Sequence, residues 1–162
     1  MSRLSAYNAG TMTVTVSEAL TLNNKNYGST QSFSIASIAN VSRRLVTVTT
    51  TEAVVMTMSS AMAQGQHIAA NVMYMRFTNL DDTNFITLTF RNQDNDEVAI
   101  KVDAGKSFIW AGDNANGMTA VMNATQDADA ASSANFGSLT NVQADADTAS
   151  CDLEIFVAEK AS

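Results

Sequence analysis

The sequence predicts an all-β fold: an antiparallel β-sandwich, jelly-roll-like, with an extended N-terminal arm. Three observations lead there. Apolar and polar residues alternate with a period of two through many short runs, which places one set of each run on one face of a pleated strand. Threonine and valine, β-branched residues that suit pleated surfaces, fill those runs. Glycine- or Asn/Asp-bearing turn signals separate them every 8–12 residues or so, the spacing of a sandwich or jelly roll.

Met1–Gly10 has no period and reads as an arm laid on a neighbouring subunit, with Tyr7 as its anchor; residues 11–162 form one β-sandwich domain. From Thr11 the text TMTVTVSEAL sets Met12, Val14 and Val16 against threonines, a strand. Leu22 to Ser32 is polar, and Asn23-Asn24-Lys25-Asn26 with Gly28 marks a loop. Gln31–Ile38 is a short strand carrying Phe33 and Ile35, and Arg43–Thr50 is a separate one with Leu45 opposed to Val46 and Val48.

Between Thr51 and Ala70 two patterns compete. Thr49 and Glu52 have capping-box spacing, and Val54, Val55, Met58 and Met62 sit near helical spacing. A β-branched start and the strands on either side favour a strand over Val54–Met58. The stretch Asn71 to Trp110 is the centre of the chain, four strands of a meander in which Met73, Met75 and Phe77, then Ile86, Leu88 and Phe90, then Val98, Ile100 and Val102 each share a face. Ala111 to Ser138 reads as a long loop, of the kind that contacts a partner. Leu139–Ala146 and Cys151–Val157 close the domain, the latter with Cys151, Leu153, Ile155 and Val157 opposed to Asp152, Glu154 and Phe156.

Composition narrows the function. The 162 residues include no proline, and only 15% are charged, against a usual share of about 25%. A formal charge of −7 argues against a nucleic-acid groove, and Arg43-Arg44 is too small a basic cluster to make one. No run approaches the roughly 20 apolar residues of a membrane helix, and no signal peptide is evident at the amino terminus, so a soluble protein made in the cytoplasm is expected. The lone Cys151 reads as a packed side chain and His67 as a surface or turn residue.

Chemistry is sparse. A hydrolytic triad needs a nucleophile beside His67, and no Gly-x-Ser-x-Gly elbow supplies one. One histidine and one cysteine do not make a transition-metal site. Asp81-Asp82, Asp94 with Asp96 and Glu97, Asp127 with Asp129, and Asp145 with Asp147 lie in or near turns; Val98 and Ala99 break the calcium-loop pattern, and such residues form turns by bonding their own backbone. No phosphate loop or dinucleotide fingerprint is present. Asn40-Val41-Ser42 and Asn123-Ala124-Thr125 match the glycosylation pattern and are set aside for want of a secretion signal. No cofactor, no metal and no enzymatic activity are expected.

The passage RRLVTVTTTEAVVMTMSS, then NVMYMRFTNLDDTNFITLTF and VAIKVDAGKSFIW, closing with ASCDLEIFVAEK, resembles the small all-β virion proteins of tailed bacteriophages. Those include capsid decoration (cement) proteins and short head or tail fibres. The likeness lies in Tyr74-x-Arg76-x-x-Asn79-Leu80-Asp81, a strand, an acidic hairpin and Asp103-x-Gly105-x-x-Phe108, and covers about two-thirds of the chain from Arg43 onward. It implies a jelly roll or sandwich that trimerises on the capsid surface, bound to the major capsid protein or another virion protein, with the virion as its location. Arg3, Tyr7, Arg43, Arg44, Met118 and Phe136 are the candidate contact residues. The alternative is a glycan- or receptor-binding sandwich of a fibre or tail, using Asp/Asn loops with a tyrosine or Trp110.

Overall fold

The computed structural model describes residues 8–61, 63–112, 116–119 and 137–161. Their strands are β1 (Gly10–Glu18), β2 (Thr21–Leu22), β3 (Lys25–Asn26), β4 (Ser29–Val48), β5 (Ala53–Ser59), β6 (His67–Ile68), β7 (Val72–Asn79), β8 (Ile86–Asn92), β9 (Glu97–Val102), β10 (Ser107–Ala111), β11 (Leu139–Ala146) and β12 (Cys151–Lys160). Two five-stranded sheets, ordered β1-β4-β12-β7-β10 and β6-β5-β11-β8-β9, face each other.

The topology is that of a jelly roll. The antiparallel pairs β4·β12, β5·β11, β7·β10 and β8·β9 nest one inside the next, as if one long hairpin had been rolled up. The expected meander is therefore replaced: β8 and β9 are hairpin neighbours, while β7 and β10 lie in the opposite sheet and pair with each other. Period-two patterning settles which residues share a face, and a meander and a rolled hairpin have the same patterning.

The faces match expectation along most of the core. Ile86, Leu88 and Phe90 on β8, Met75 and Phe77 on β7, and Leu153, Ile155 and Val157 on β12 are buried between the sheets. Met73 departs from its predicted face. A register shift between Ala158 and Glu159 on the neighbouring strand breaks the phase, so Val72 joins the inner core while Met73 and Tyr74 join a second cluster with Ile35, Ile38 and Ala158.

The reading from Leu22 to Thr50 is corrected. The loop and two short strands expected from Leu22 to Thr50 are a small hairpin and one 20-residue strand, β4. Asn23 and Asn24, both with positive φ, make the two-residue turn between β2 and β3, a conformation asparagine tolerates. Within β4, Ser37 (φ 63°) forms a bulge instead of a break. The strand expected at Val54–Met58 is present as β5, without the competing helix.

β4 changes partner along its length. Its first half, Ser29–Ile38, pairs with β1, and its second half, Ile38–Val48, pairs with β12 on the other side. The two halves overlap only at Ile38. The first half and β1 therefore leave the sandwich as a two-stranded ribbon capped by the β2–β3 hairpin. Every residue from Thr15 to Ser34 is exposed except Gly28. The N-terminal extension of the fold is this ribbon; residues 1–7, where the arm contact through Arg3 and Tyr7 was expected, lie outside the described residues.

Candidate functional site

The ribbon has two chemically distinct faces because its sequence alternates on both strands. On one side Thr13 and Ser34, Thr15 and Ser32, and Ser17 and Thr30 form three cross-strand hydroxyl pairs at 3.4, 3.0 and 3.2 Å. On the other side lie the pairs Met12–Ile35, Val14–Phe33, Val16–Gln31 and Glu18–Ser29. The base of this second face is covered: Met12, Val14 and Ile35 pack with Tyr74, Ala158 and Phe156 on the outer surface of the first sheet. Beyond the base the same face is open, with Val16 45% and Phe33 43% exposed, and Leu20, Leu22 and Tyr27 stand out at the tip.

The outer surface of the first sheet continues this track. Register puts Val41, Arg43 and Leu45 of β4, Glu154, Phe156 and Ala158 of β12, Tyr74, Arg76 and Thr78 of β7, and Ile109 of β10 on one side. At its centre Glu154 Oε2 accepts from Arg43 Nε at 2.7 Å, and Oε1 accepts from Arg76 Nη2 at 2.6 Å. Arg76 also donates to Thr78 Oγ1 at 2.5 Å and lies 5.9 Å from the centroid of the Phe156 ring. The two guanidiniums roof the carboxylate: the Glu154 side chain is only 8% exposed on a solvent-facing surface, whereas that of Arg43 is 69% exposed. Hydrogen bonding from Arg43, opposed by burial and joined by Arg76, holds Glu154 below the usual carboxylate range. Arg43 and Arg76 share this one carboxylate; Asp152, two residues before Glu154 on the same side of β12, accepts from Thr47 Oγ1 at 3.1 Å. Around it Leu45, Val41 and Ile109 are exposed.

The six predicted contact residues fare unequally. Arg43 sits in this cluster. Arg44, its neighbour on the inner side of β4, instead spans the gap between the sheets and donates to the Val55 carbonyl. Met118 is corrected from contact to core: it is fully buried in the sandwich, its N–H donating to the Ala69 carbonyl at 2.7 Å. Arg3, Tyr7 and Phe136 lie outside the described residues. Sequence reasoning passed over Glu18, Leu45, Ile109, Arg76 and Glu154. The alternation of Leu45 against Val46 and Val48 did carry a signal, since one set had to face outward.

His67 is also corrected. It is not a surface residue: its side chain is 12% exposed, and Nδ1 lies 3.2 Å from Glu159 Oε1, with Asn40 bonded to the other carboxylate oxygen at 2.8 Å. Burial raises the Glu159 pKa, but the bonds and charge of His67 with the Asn40 bond outweigh it and leave the group below its usual range. The pair joins β6 of one sheet to β12 of the other.

Two of the acidic turns are held by their own backbone, Asp145 lies in β11, and Asp127 and Asp129 lie outside the described residues. Asp81 Oδ1 accepts from the Thr83 and Asn84 N–H groups at 2.8 and 2.6 Å, and buried Asn92 accepts from those of Asp94 and Asp96. Asn79, fully buried, donates to the carbonyls of Asn84 and Val102. Among the described residues no three His, Cys, Asp or Glu side chains are grouped as metal ligands. Trp110 packs edge-on against Phe90, turned toward the core.

No family model matches this chain, and no curated protein does. Among solved structures it is similar to a chain from Bacillus endospore appendages, described as a novel family of disulfide-linked pili. The identity is 12% and the TM-score 0.44, over 76% of this chain and 87% of that one. A likeness that distant carries no argument about function. The one cysteine here, Cys151, is buried.

Proposed function

We propose that this chain is a non-enzymatic structural subunit that works by assembling with copies of itself. The observation that carries the reading is the projecting ribbon. A two-stranded ribbon is at best marginally stable alone in water. This one exposes an apolar face, and among the described residues the outer edge of β1 and the free edge of Ser29–Ser37 have no strand beside them. Natural proteins blunt such edges with proline, lysine or cover. The ribbon has no proline, and between Gly10 and Ser34 its only charges are Glu18 and Lys25. Cover by another subunit satisfies both the face and the edges, and repetition by symmetry makes modest contacts effective.

The finer form of the reading is a capsid decoration protein of a tailed phage, trimeric and bound to the major capsid protein on the virion surface. The strand text from Arg43 onward and the jelly-roll order support it. Sedimentation across a wide concentration range, with and without capsid shells, tests both levels. Mass above that of one 17.2 kDa chain is expected, with co-sedimentation on shells. A concentration-independent monomer overturns the assembly reading, and oligomers that ignore shells overturn the decoration reading.

A further inference from the structure

Resting on the assembly reading, we infer that the partner surface for the ribbon is the outer face of the first sheet in a second copy, with the open ribbon face laid on Leu45, Val41 and Ile109 and Glu18 set against Arg43. Three observations converge. First, the chain already makes this contact within itself: at the ribbon base, Met12 and Val14 of that same face pack on Tyr74 and Phe156 of that same sheet surface. Second, both surfaces run on unpartnered among the described residues. Val16 and Phe33 remain 45% and 43% exposed on the ribbon, and Leu45, Val41 and Ile109 remain 69%, 52% and 42% exposed on the sheet. Third, the charges complement one another. The apolar face of the ribbon ends in the carboxylate Glu18, whose oxygen takes one bond from Ser29 Oγ at 2.9 Å. On the sheet, Arg43 is the solvent-facing cation of the ion cluster, while Asp152 on the same face is engaged by Thr47.

The contact joins two different patches, so it is reciprocated in a closed pair, or repeated head to tail in a ring where the rotation closes and in an open filament where it does not. Three copies make the smallest such ring. The cis contact at the base fixes where the ribbon leaves its own sheet, so only the distal part, from Val16 to the tip, is free to reach a neighbour. The formal charge of −7 per chain opposes association, and assembly strengthens with moderate salt until Glu18–Arg43 pairing is itself screened.

Charge exchange between chains tests the inference. Analytical ultracentrifugation is run on wild type, Glu18→Lys, Arg43→Glu, Phe33→Ser and Leu45→Ser, and on an equimolar mixture of the two charge variants; thermal melts check that each folds. Each single variant is expected to weaken assembly about tenfold or more, the range of a close interfacial charge pair or apolar anchor. The mixture is expected to assemble better than either component, fully in a closed pair and at two junctions of three in a three-membered ring, because a Glu18→Lys ribbon meets an Arg43→Glu face and a native Glu18 ribbon meets a native Arg43 face. Assembly lost in Phe33→Ser but untouched in Leu45→Ser and Arg43→Glu overturns the proposed partner surface while the assembly reading stands. A mixture no better than its components does the same. A wild type that stays monomeric overturns both.

Discussion

Replacing Phe90 by alanine reports on the centre of the sandwich. Phe90, on β8, is fully buried, and its ring centroid lies 5.9 Å from Phe77, 5.5 Å from Phe108 and 5.0 Å from Trp110. Those three belong to β7 and β10 of the opposite sheet, so this one ring joins the two layers. A buried phenylalanine removes roughly 150–250 Å² from water, about 4–6 kcal/mol at about 25 cal/mol per Å² as an upper limit. Truncation keeps the Cβ but leaves a cavity, and core Phe→Ala changes cost about 3–5 kcal/mol. At about 2–4 °C per kcal/mol for a domain of this size, the melting temperature falls by roughly 6–20 °C. Urea unfolding followed by circular dichroism and by the fluorescence of the single tryptophan measures the loss. Phe33→Ala is the comparator: 43% exposed on the ribbon, it is expected to cost about 0.5 kcal/mol or less. A Phe90→Ala loss under about 1.5 kcal/mol, or equal losses at the two sites, would refute the division into a core that stabilises the chain and a ribbon that does not.

Three further outcomes are expected. Glu154 is held below the usual carboxylate range, so its contribution is present above the unfolded value of about 4.3 and is lost as pH falls through the lower folded value; Glu154→Gln therefore lowers the melting temperature at neutral pH, and a gap to wild type that failed to close in acid would contradict the ion network. Burial raises the Cys151 thiol pKa and the side chain is 1% exposed, so alkylation monitored by mass is expected only in denaturant, and labelling of the native protein would displace Cys151 from the core. Gly117→Ala places a Cβ 2.6 Å from backbone atoms of Ala69 and Ala70 at φ +59°, and a loss of about 1–3 kcal/mol is expected; Gly105→Ala, at φ +66° in open space, isolates the backbone part of that cost, and equal losses would count against the close approach.

The sequence by itself determined the strands and, for most of them, their buried faces, because alternation is a local property: Ile86, Leu88 and Phe90 could sit together only in an extended chain with one dry side. It also determined that Asn and Asp would serve as turn formers, as Asn23, Asn24 and Asn92 do. Pairing was decided only in the tertiary structure. A meander and a rolled hairpin share every local signal, and long-range register alone separates them. The same holds for the bulges at Ser37 and beside Glu159, where one extra residue reverses every face beyond it. Arg43 and Arg44 are adjacent in sequence, yet one crowns an exposed ion cluster and the other reaches across the layers, because neighbours on a strand point opposite ways and only the fold says which way is out. The ribbon shows the difference most plainly: its pattern is that of any half-buried strand pair, and only the fold shows that beyond its base nothing among the described residues covers Val16 or Phe33.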